Sequence, residues 1–150
     1  MKLDKARPEQ IGALAAISKA AFDSDVDVGA DYPDGPPEYD SEPWHIEMMN
    51  RGNLYAATEE GEVIGGALLF RDASTPDFLY VGRIFIDPSR FGQGYGIRLM
   101  ELIEGMSPEI TTFCLDTPLW NIRTNRFYRK LGYTETKRDE KMVFYRKRRL

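Results

Sequence analysis

Residues 89–106 read SRFGQGYGIRLMELIEGM. Three glycines alternate with other residues in the first half, and apolar residues then recur at i, i+3, i+4 and i+7, the spacing of one helix face. The stretch follows the apolar run Phe78–Ile86, which ends at Asp87-Pro88, because proline has no N–H to donate to a sheet. The sequence therefore predicts a strand, a glycine-rich turn and a helix in direct succession.

The predicted turn has the composition of an anion-binding site. Glycines let backbone N–H groups approach an anion closely, and the N-terminus of the following helix adds about half a positive charge. The spacing differs from the G-x-G-x-x-G of dinucleotide-binding folds and from the P-loop, since no Lys-Ser/Thr pair follows the glycines. Taken alone, the glycines are also explained by a turn that connects two elements tightly.

Residues 91–96, FGQGYG, resemble the [Q/R]-x-x-G-x-[G/A] motif of the GCN5-related N-acetyltransferase (GNAT) family, which cradles the pyrophosphate of acetyl-coenzyme A. A second segment, Asn121–Tyr133, resembles the family's later asparagine and the helix that ends in aromatic-Tyr-x-x-x-Gly-aromatic. The two motifs have the family's order and separation. Phe91 stands where the family usually has Arg or Gln, so the resemblance implies a backbone cradle without that side-chain contact.

The resemblance implies an α/β fold, with a central mixed, mostly antiparallel sheet of six or seven strands and about four flanking helices. It also implies a single acetyltransferase domain over residues 1–150. Local patterns fit this plan. Strands are predicted at residues 2–7, 54–59, 62–70, 78–86, 110–115, 134–137 and 142–145, and helices at 8–22 and 44–49, after the glycine turn, and after Asn121.

The composition and charge argue against a nucleic-acid-binding, membrane-spanning or disulfide-bonded protein. The 150 residues carry a net charge of −4, which gives no general case for nucleic acid or anionic membrane as a partner. No apolar run approaches the ~18 residues of a membrane span, and Met1–Lys5 lacks the apolar core of a signal peptide. A single cysteine, Cys114, excludes an intrachain disulfide and fits a reducing cytoplasm. We expect a soluble cytoplasmic protein whose basic end, residues 137–150, is a frayed tail.

The segment of residues 23–42 is strongly acidic. It contains eight Asp and Glu residues, and no Lys or Arg occurs between Lys19 and Arg51. Two interpretations stay open: a solvated acidic loop, or an electronegative rim that attracts a cationic amine. In the resembled family this segment commonly borders the acceptor site. His45, the only histidine, is expected on a helix surface, so a His-based catalytic triad is not predicted.

The resemblance also implies a set of cofactor contacts. In the family the strand before the turn separates from its parallel neighbour, and coenzyme A lies in the gap, bound by free main-chain groups. Carried over by position, the cofactor-binding residues are Ile84, Phe85, Ile86, Gly92, Gln93, Gly94, Tyr95, Gly96, Ile97 and Asn121. Asn121 is equally explained as a helix N-cap, and the two roles are compatible.

Two residues are candidates for catalysis. Tyr128 aligns with the family tyrosine that donates a proton to the departing thiolate, and a phenol with a pKa of about 10 suits a thiolate near 9. Asp116 lies five residues before Asn121, where some members place a Glu that takes the amine proton. A packing role for Tyr128 and a solvated aspartate are the alternatives. Cys114 is expected to be an inert core residue.

We therefore expect acetyl-coenzyme A-dependent N-acetylation of a primary amine, on a small molecule or a peptide, by direct transfer in a ternary complex and without a metal. A homodimer is compatible with this, because the resembled family often forms dimers. The alternative is a non-catalytic, regulatory acyl-coenzyme A-binding module. A nucleic-acid-associated protein that uses its basic C-terminal residues is a third hypothesis.

Overall fold

The computed structural model describes residues 1–149, and seven strands within them form one sheet. The strands are β1 (Lys2–Lys5), β2 (Leu54–Glu59), β3 (Glu62–Phe70), β4 (Phe78–Ile86), β5 (Thr112–Pro118), β6 (Thr134–Arg138) and β7 (Met142–Arg148). Their order in the sheet is β1-β2-β3-β4-β5-β7-β6. The helices are α1 (Ile11–Asp23), α2 (Glu42–Asn50), α3 (Tyr95–Glu104) and α4 (Ile122–Lys130), with short 3-10 turns at Pro8–Gln10, Ser24–Val28 and Pro88–Arg90. The predicted mixed, mostly antiparallel sheet with four helices is confirmed.

The pairing between β4 and β5 is short. Among residues 1–149 it is the one parallel strand pairing, and it joins only Phe78 to Thr112, Leu79 to Phe113 and Tyr80 to Cys114. Beyond these pairs β4 continues along β3, and β5 continues along β7. A gap therefore opens in the middle of the sheet.

A bulge in β4 decides which side chains face which helices. Leu68 pairs with Arg83 while Leu69 pairs with Val81, so Gly82 is an extra residue in β4. A Cβ on Gly82 would lie 2.5 Å from the Phe70 ring, which explains the glycine. The extra residue changes the alternation of the strand, so Val81 packs in one apolar cluster, whereas Arg83 and Phe85, beyond the bulge, lie on the opposite face.

Two apolar clusters hold the helices against opposite faces of the sheet. The cluster beneath α3 and α4 contains Leu79, Val81 and Ile86 of β4 together with Leu99 of α3. The cluster beneath α1 and α2 contains Phe85 of β4, with Leu14 and Met48 from the two helices. The β2–β3 hairpin has the predicted bounds. A Cβ on Gly65 would clash with the carbonyl oxygen of Phe85, so glycine at this position allows the close approach of β4.

Two predicted boundaries were wrong. Strand β5 extends through Asp116 to Pro118, beyond its predicted end at residue 115, because β7 pairs with it along its whole length. The same pairing orders the basic end of the chain. Strand β7 continues to Arg148, opposite Thr112, so residues 142–148 are not a frayed tail.

Two side chains also differ from expectation. His45 is fully buried rather than on a helix surface, and its Nδ1 lies within hydrogen-bond distance of the Ser41 carbonyl oxygen (2.5 Å). Cys114 is half-buried and not a core residue, because the alternation of β5 turns it away from the buried Phe113 and Leu115. Within residues 1–149 no helix combines the length and apolar character needed to cross a bilayer.

Candidate active site

A cavity of about 750 Å³ opens where β4 and β5 separate. One wall is β4 from Val81 to Ile86, and the opposite wall is the end of β5 from Asp116 to Pro118. The glycine turn and the N-terminal part of α3 close one side. Helix α4 and the segment that follows α1 complete the lining.

The β4 wall presents free backbone. Its residues from Val81 to Ile86 pair with β3 on one edge and have no strand partner on the other. The side chains of Phe85 and Ile86 are buried in the two apolar clusters, and Ile84 packs against the α3–α4 cluster. Main-chain N–H and C=O groups on the open edge are therefore available to an extended ligand, as in a sheet ladder.

The glycine turn is open to an anion. Gly92 and Gly94 have φ angles of +77° and +83°, and a Cβ added to either would meet no heavy atom within 4 Å. Gly94 is the N-cap of α3, and the Arg98 N–H donates to its carbonyl oxygen (3.1 Å). The preceding N–H groups at the start of α3 have no partner in the helix. The turn therefore combines free donors, empty space and the positive end of a helix dipole.

Almost all of the predicted cofactor contacts lie along this cavity. The exception is Gln93, which is exposed and whose side-chain amide donates to the Ser89 carbonyl oxygen (3.4 Å). The predicted cofactor-binding residues that do line the cavity are Ile84, Phe85, Ile86, Gly92, Gly94, Tyr95, Gly96, Ile97 and Asn121.

Three arginines lie near the glycine turn, although position 91, where the family motif usually has Arg or Gln, is a phenylalanine. The guanidinium of Arg123, from α4, lies 4.9 Å from the centre of the Phe91 ring. Arg90 and Arg98 lie 5.6 Å and 4.7 Å from the centre of the Tyr95 ring. Arg123 is not among the predicted site residues, because nothing in the local pattern of α4 indicates that this residue reaches the turn.

The N-terminus of α4 is firmly held. Asn121 is only 2% exposed, and its Oδ1 accepts a hydrogen bond from the Thr124 N–H (3.1 Å), which confirms the predicted N-cap. Asn125 donates to the carbonyl oxygens of Asn121 (2.8 Å) and Pro118 (3.0 Å). Its Oδ1 accepts from the Tyr145 hydroxyl (2.6 Å). Helix α4 is thereby fixed to β5 and β7, which sets the position of Tyr128.

Tyr128 is both packed and directed at the cavity. It is 6% exposed, and its ring makes edge contacts with Phe127 and Tyr133 at centroid distances of 5.2 Å and 5.8 Å. It also lines the cavity, and no residue in the described chain hydrogen-bonds to its hydroxyl. Burial, assisted by the charge of Asp116, raises the pKa of Tyr128 well above its ordinary value. The phenol is therefore protonated at any ordinary pH.

Asp116 lies on the β5 wall, two residues beyond the last parallel pair. Burial raises the pKa of Tyr80, and the neighbouring charge of Asp116 raises it further. The charge of Asp116 acts on Tyr128 in the same direction. The structure thus brings the two predicted catalytic residues, Tyr128 and Asp116, to one cavity from α4 and β5.

The acidic segment contributes only part of its charge to the cavity. Of its residues, Asp25 and Asp34 line the cavity, whereas Asp27 lines a neighbouring depression on α4. Asp25 Oδ1 accepts a hydrogen bond from Arg123 Nη2 (3.1 Å). Burial raises the pKa of Asp25, and the charge of Arg123 partly offsets this. Among residues 1–149, no group of three or more His, Cys, Asp or Glu side chains is arranged to hold a metal ion.

Comparisons with known proteins agree with this geometry. The N-acetyltransferase PaiA of Thermoplasma acidophilum, solved in complex with coenzyme A, superposes with a TM-score of 0.81 at 16% identity, over 99% of this chain and 98% of that one. A GNAT-family acetyltransferase of Streptococcus agalactiae gives a TM-score of 0.82 at 21% identity, over 99% and 95% of the two chains. A GCN5-related N-acetyltransferase of Rhodopseudomonas palustris gives 0.77 at 21% identity, over 99% and 95%.

These structural likenesses concern the fold. A comparison with curated proteins found no significant match. The family itself is identified from the sequence, since a model of the acetyltransferase (GNAT) family matches residues 17–133. With the separated strands, the open glycine turn and the family match in agreement, the chain belongs to the GNAT acetyltransferase family.

Proposed function

We propose that this protein is an acetyl-coenzyme A-dependent N-acetyltransferase that moves an acetyl group to a primary amine of a small molecule or peptide. The observation that supports this proposal most directly is one continuous cavity, which extends from the open glycine turn, along the free edge of β4, to Asp116 and Tyr128. Such a cavity can hold donor and acceptor at the same time, which supports direct transfer in a ternary complex.

The chain's own groups fit the donor. Free N–H groups at Gly92–Ile97 and the positive end of α3 suit a pyrophosphate. The open edge of β4 suits a pantetheine arm, whose amides would pair with Ile84–Ile86 as a neighbouring strand would. The complex of the Thermoplasma protein with coenzyme A supports this assignment. Empty space at the Cβ positions of Gly92 and Gly94 leaves room for the phosphates.

The transfer step needs a base for the amine and an acid for the leaving thiolate. In this proposal Asp116 accepts the proton of the amine, whose nitrogen then attacks the thioester carbonyl. Backbone N–H groups of β4 stabilise the developing oxyanion. The carbon–sulfur bond breaks, and the Tyr128 hydroxyl gives its proton to the thiolate. The remaining extra proton of the attacking nitrogen passes to the Tyr128 phenolate, which leaves a neutral amide and free thiol, and Asp116 releases its proton to solvent. The raised pKa keeps Tyr128 protonated before the thiolate forms, and it makes the phenol a weaker acid than the ordinary tyrosine that the sequence led us to expect.

The test is release of free thiol from acetyl-coenzyme A across a panel of primary amines. Amine-dependent release, with the acetylated amine identified by mass spectrometry, would support the proposal. Tight binding of acetyl-coenzyme A without release for any amine favours the regulatory binding module. Absence of measurable binding contradicts both functions, and calorimetry with coenzyme A provides that measurement.

A further inference from the structure

Arg83 is a half-buried cation without a counter-charge, and one end of its guanidinium is fully enclosed. It projects from β4, beyond the Gly82 bulge, on the face shared with Phe85. Within residues 1–149 its guanidinium forms no ion pair, and the single hydrogen-bond acceptor found for it is the carbonyl oxygen of Pro37. Its Nη1 is enclosed and has no acceptor. Burial lowers the pKa of Arg83 to about 10.

This arrangement is costly for the protein alone. Buried charges are normally paired, and a buried donor without an acceptor retains its full desolvation penalty. Stacking of the Arg83 guanidinium on the Trp44 ring, 4.4 Å from its centre, holds the side chain in place without neutralising it. The charge of Glu38 favours the ionised form from a distance, but no ion pair joins the two residues in the described chain.

Arg83 also lines the cavity that contains Asp116 and Tyr128. The cavity is also lined by the carboxylates of Asp25, Asp34 and Asp116 and by the cations Arg90, Arg123 and Lys130. Arg123 pairs with Asp25, which leaves Asp34 and Asp116 without an ion pair within residues 1–149. A guanidinium among carboxylates makes the cavity dipolar. A ligand that carries only an ammonium would leave Arg83 unpaired, whereas a ligand that carries an ammonium and an anion satisfies both signs.

We infer that the acceptor is an amine that also bears a carboxylate, and that the Arg83 guanidinium binds that carboxylate while the amine faces Asp116. The inference rests on the proposed function, because it names the substrate class of the same site. Arg83 is well suited to the role, since its planar fork of N–H donors matches the two oxygens of a carboxylate. The Pro37 carbonyl oxygen accepts from Arg83 Nη2, and Pro37 also lines the cavity, so a carboxylate that binds both ends of the guanidinium replaces this contact.

The experiment uses matched pairs of amines. Glycine, β-alanine, 4-aminobutyrate and the common L-amino acids are each compared with the corresponding amide, and putrescine represents dicationic amines. The proteins are the wild type, Arg83→Met, Arg83→Lys and the control Arg51→Met. Arg51 is an exposed arginine of similar chemistry, paired with Glu47 on the surface (2.6 Å) and outside the cavity.

We expect kcat/KM of the wild type for at least one carboxylate to exceed that for its amide by about 10- to 100-fold, as for a hydrogen bond to a charged group. Arg83→Met removes this preference, Arg83→Lys retains part of it, and Arg51→Met keeps all of it. If the wild type uses amides or putrescine as well as the carboxylates, the inference is wrong. An equal loss for every amine in Arg83→Met also contradicts it, because that result indicates a structural role.

A binding measurement separates this inference from the proposed function. Each pair is titrated by calorimetry into the protein saturated with coenzyme A. Binding of a carboxylate but not its amide, lost in Arg83→Met, supports the inference even without turnover. Absence of any carboxylate-dependent binding and turnover contradicts the inference, while acetylation of another amine would leave the proposed function standing.

Discussion

Tyr80 and Cys114 are the last residues that join β4 to β5 in parallel register. Beyond this pair each strand keeps its outer neighbour, and the space between them is the cavity. Asp116 follows two residues later on β5, and Arg83 follows the bulge on β4. The point at which the pairing stops therefore determines which side chains and which backbone groups line the cavity.

Tyr128→Phe is expected to lower kcat by about 100-fold, because general acid catalysis contributes roughly that much or more. KM for acetyl-coenzyme A should change little, since the packed ring is retained. The loss should persist from about pH 6 to about pH 9, because the raised pKa keeps the wild-type phenol protonated throughout. Steady-state kinetics over this range provide the measurement.

The control for Tyr128 is Tyr133→Phe. It removes a hydroxyl that donates to Glu104 (3.0 Å) and does not line the cavity. We expect a change in stability with kcat preserved. Equal effects of the two variants would show that hydroxyl loss acts through packing.

Asp116→Asn should lower kcat/KM by about 10- to 100-fold, because the amine loses the group that accepts its proton. The deficit should shrink as pH rises toward the pKa of the acceptor amine, since more of the amine then arrives deprotonated. Asp4→Asn, an exposed substitution on β1, is the control. A deficit that is constant with pH would contradict the role of base.

Gly94→Ala and Gly61→Ala form a matched pair. The two glycines have φ angles of +83° and +82°, and neither has a heavy atom within 4 Å of the added Cβ. Each substitution should lower the free energy of unfolding by about 1 kcal/mol, the cost of a left-handed conformation for an L-residue. Only Gly94→Ala should also weaken coenzyme A binding, by about tenfold or more, because its methyl group projects into the cradle. Equal affinities for the two variants would contradict the cradle.

His45 should make stability depend on pH. Burial lowers its pKa, the charge of Arg83 contributes, and the Ser41 carbonyl and Asp40 act in the opposite direction. The unfolded chain therefore binds a proton more readily than the native state below about pH 6.5. The free energy of unfolding should fall as pH decreases through this range and level off below the native pKa.

The measurement for His45 is denaturant unfolding of the wild type and His45→Gln between about pH 7.5 and about pH 5.5. The variant has no imidazole to titrate, so the wild type should lose more stability over this interval. Parallel pH dependences for the two proteins would assign the effect to other groups. The interval stays above the range in which most carboxylates titrate.

The acidic segment is expected to act through few of its residues. Asp25→Asn should raise KM for the acceptor, because Asp25 lines the cavity. The double variant Asp27→Asn, Asp31→Asn should leave it unchanged, since neither residue lines the cavity. If the double variant had the larger effect, long-range attraction by the exposed charges would be the better explanation. Acceptor kinetics at low and high salt distinguish these outcomes.

Local features were predictable from the sequence. Apolar periodicity predicts the β2–β3 hairpin and the strand and helix on either side of the glycine turn. Glycines, which readily adopt positive φ angles, predict the turn itself. The Asn121 side chain, which accepts from the backbone of its own helix, predicts the start of α4. Each depends on residues close together in the chain. The family resemblance was visible for the same reason, because its two motifs are local patterns.

The tertiary structure decided the rest. Arg83 lines the cavity because of the bulge in β4. Arg123 lines it because α4 is fixed to β5. Asp25 is held there by Arg123, which lies 98 positions away in the sequence. The burial of His45 and the pairing of β7 with β5 likewise depend on elements distant in sequence. Local amino-acid patterns specify most of the backbone conformations and apolar faces, but the ends of β5 and β7 and the meeting of distant side chains depend on how those elements pair and pack.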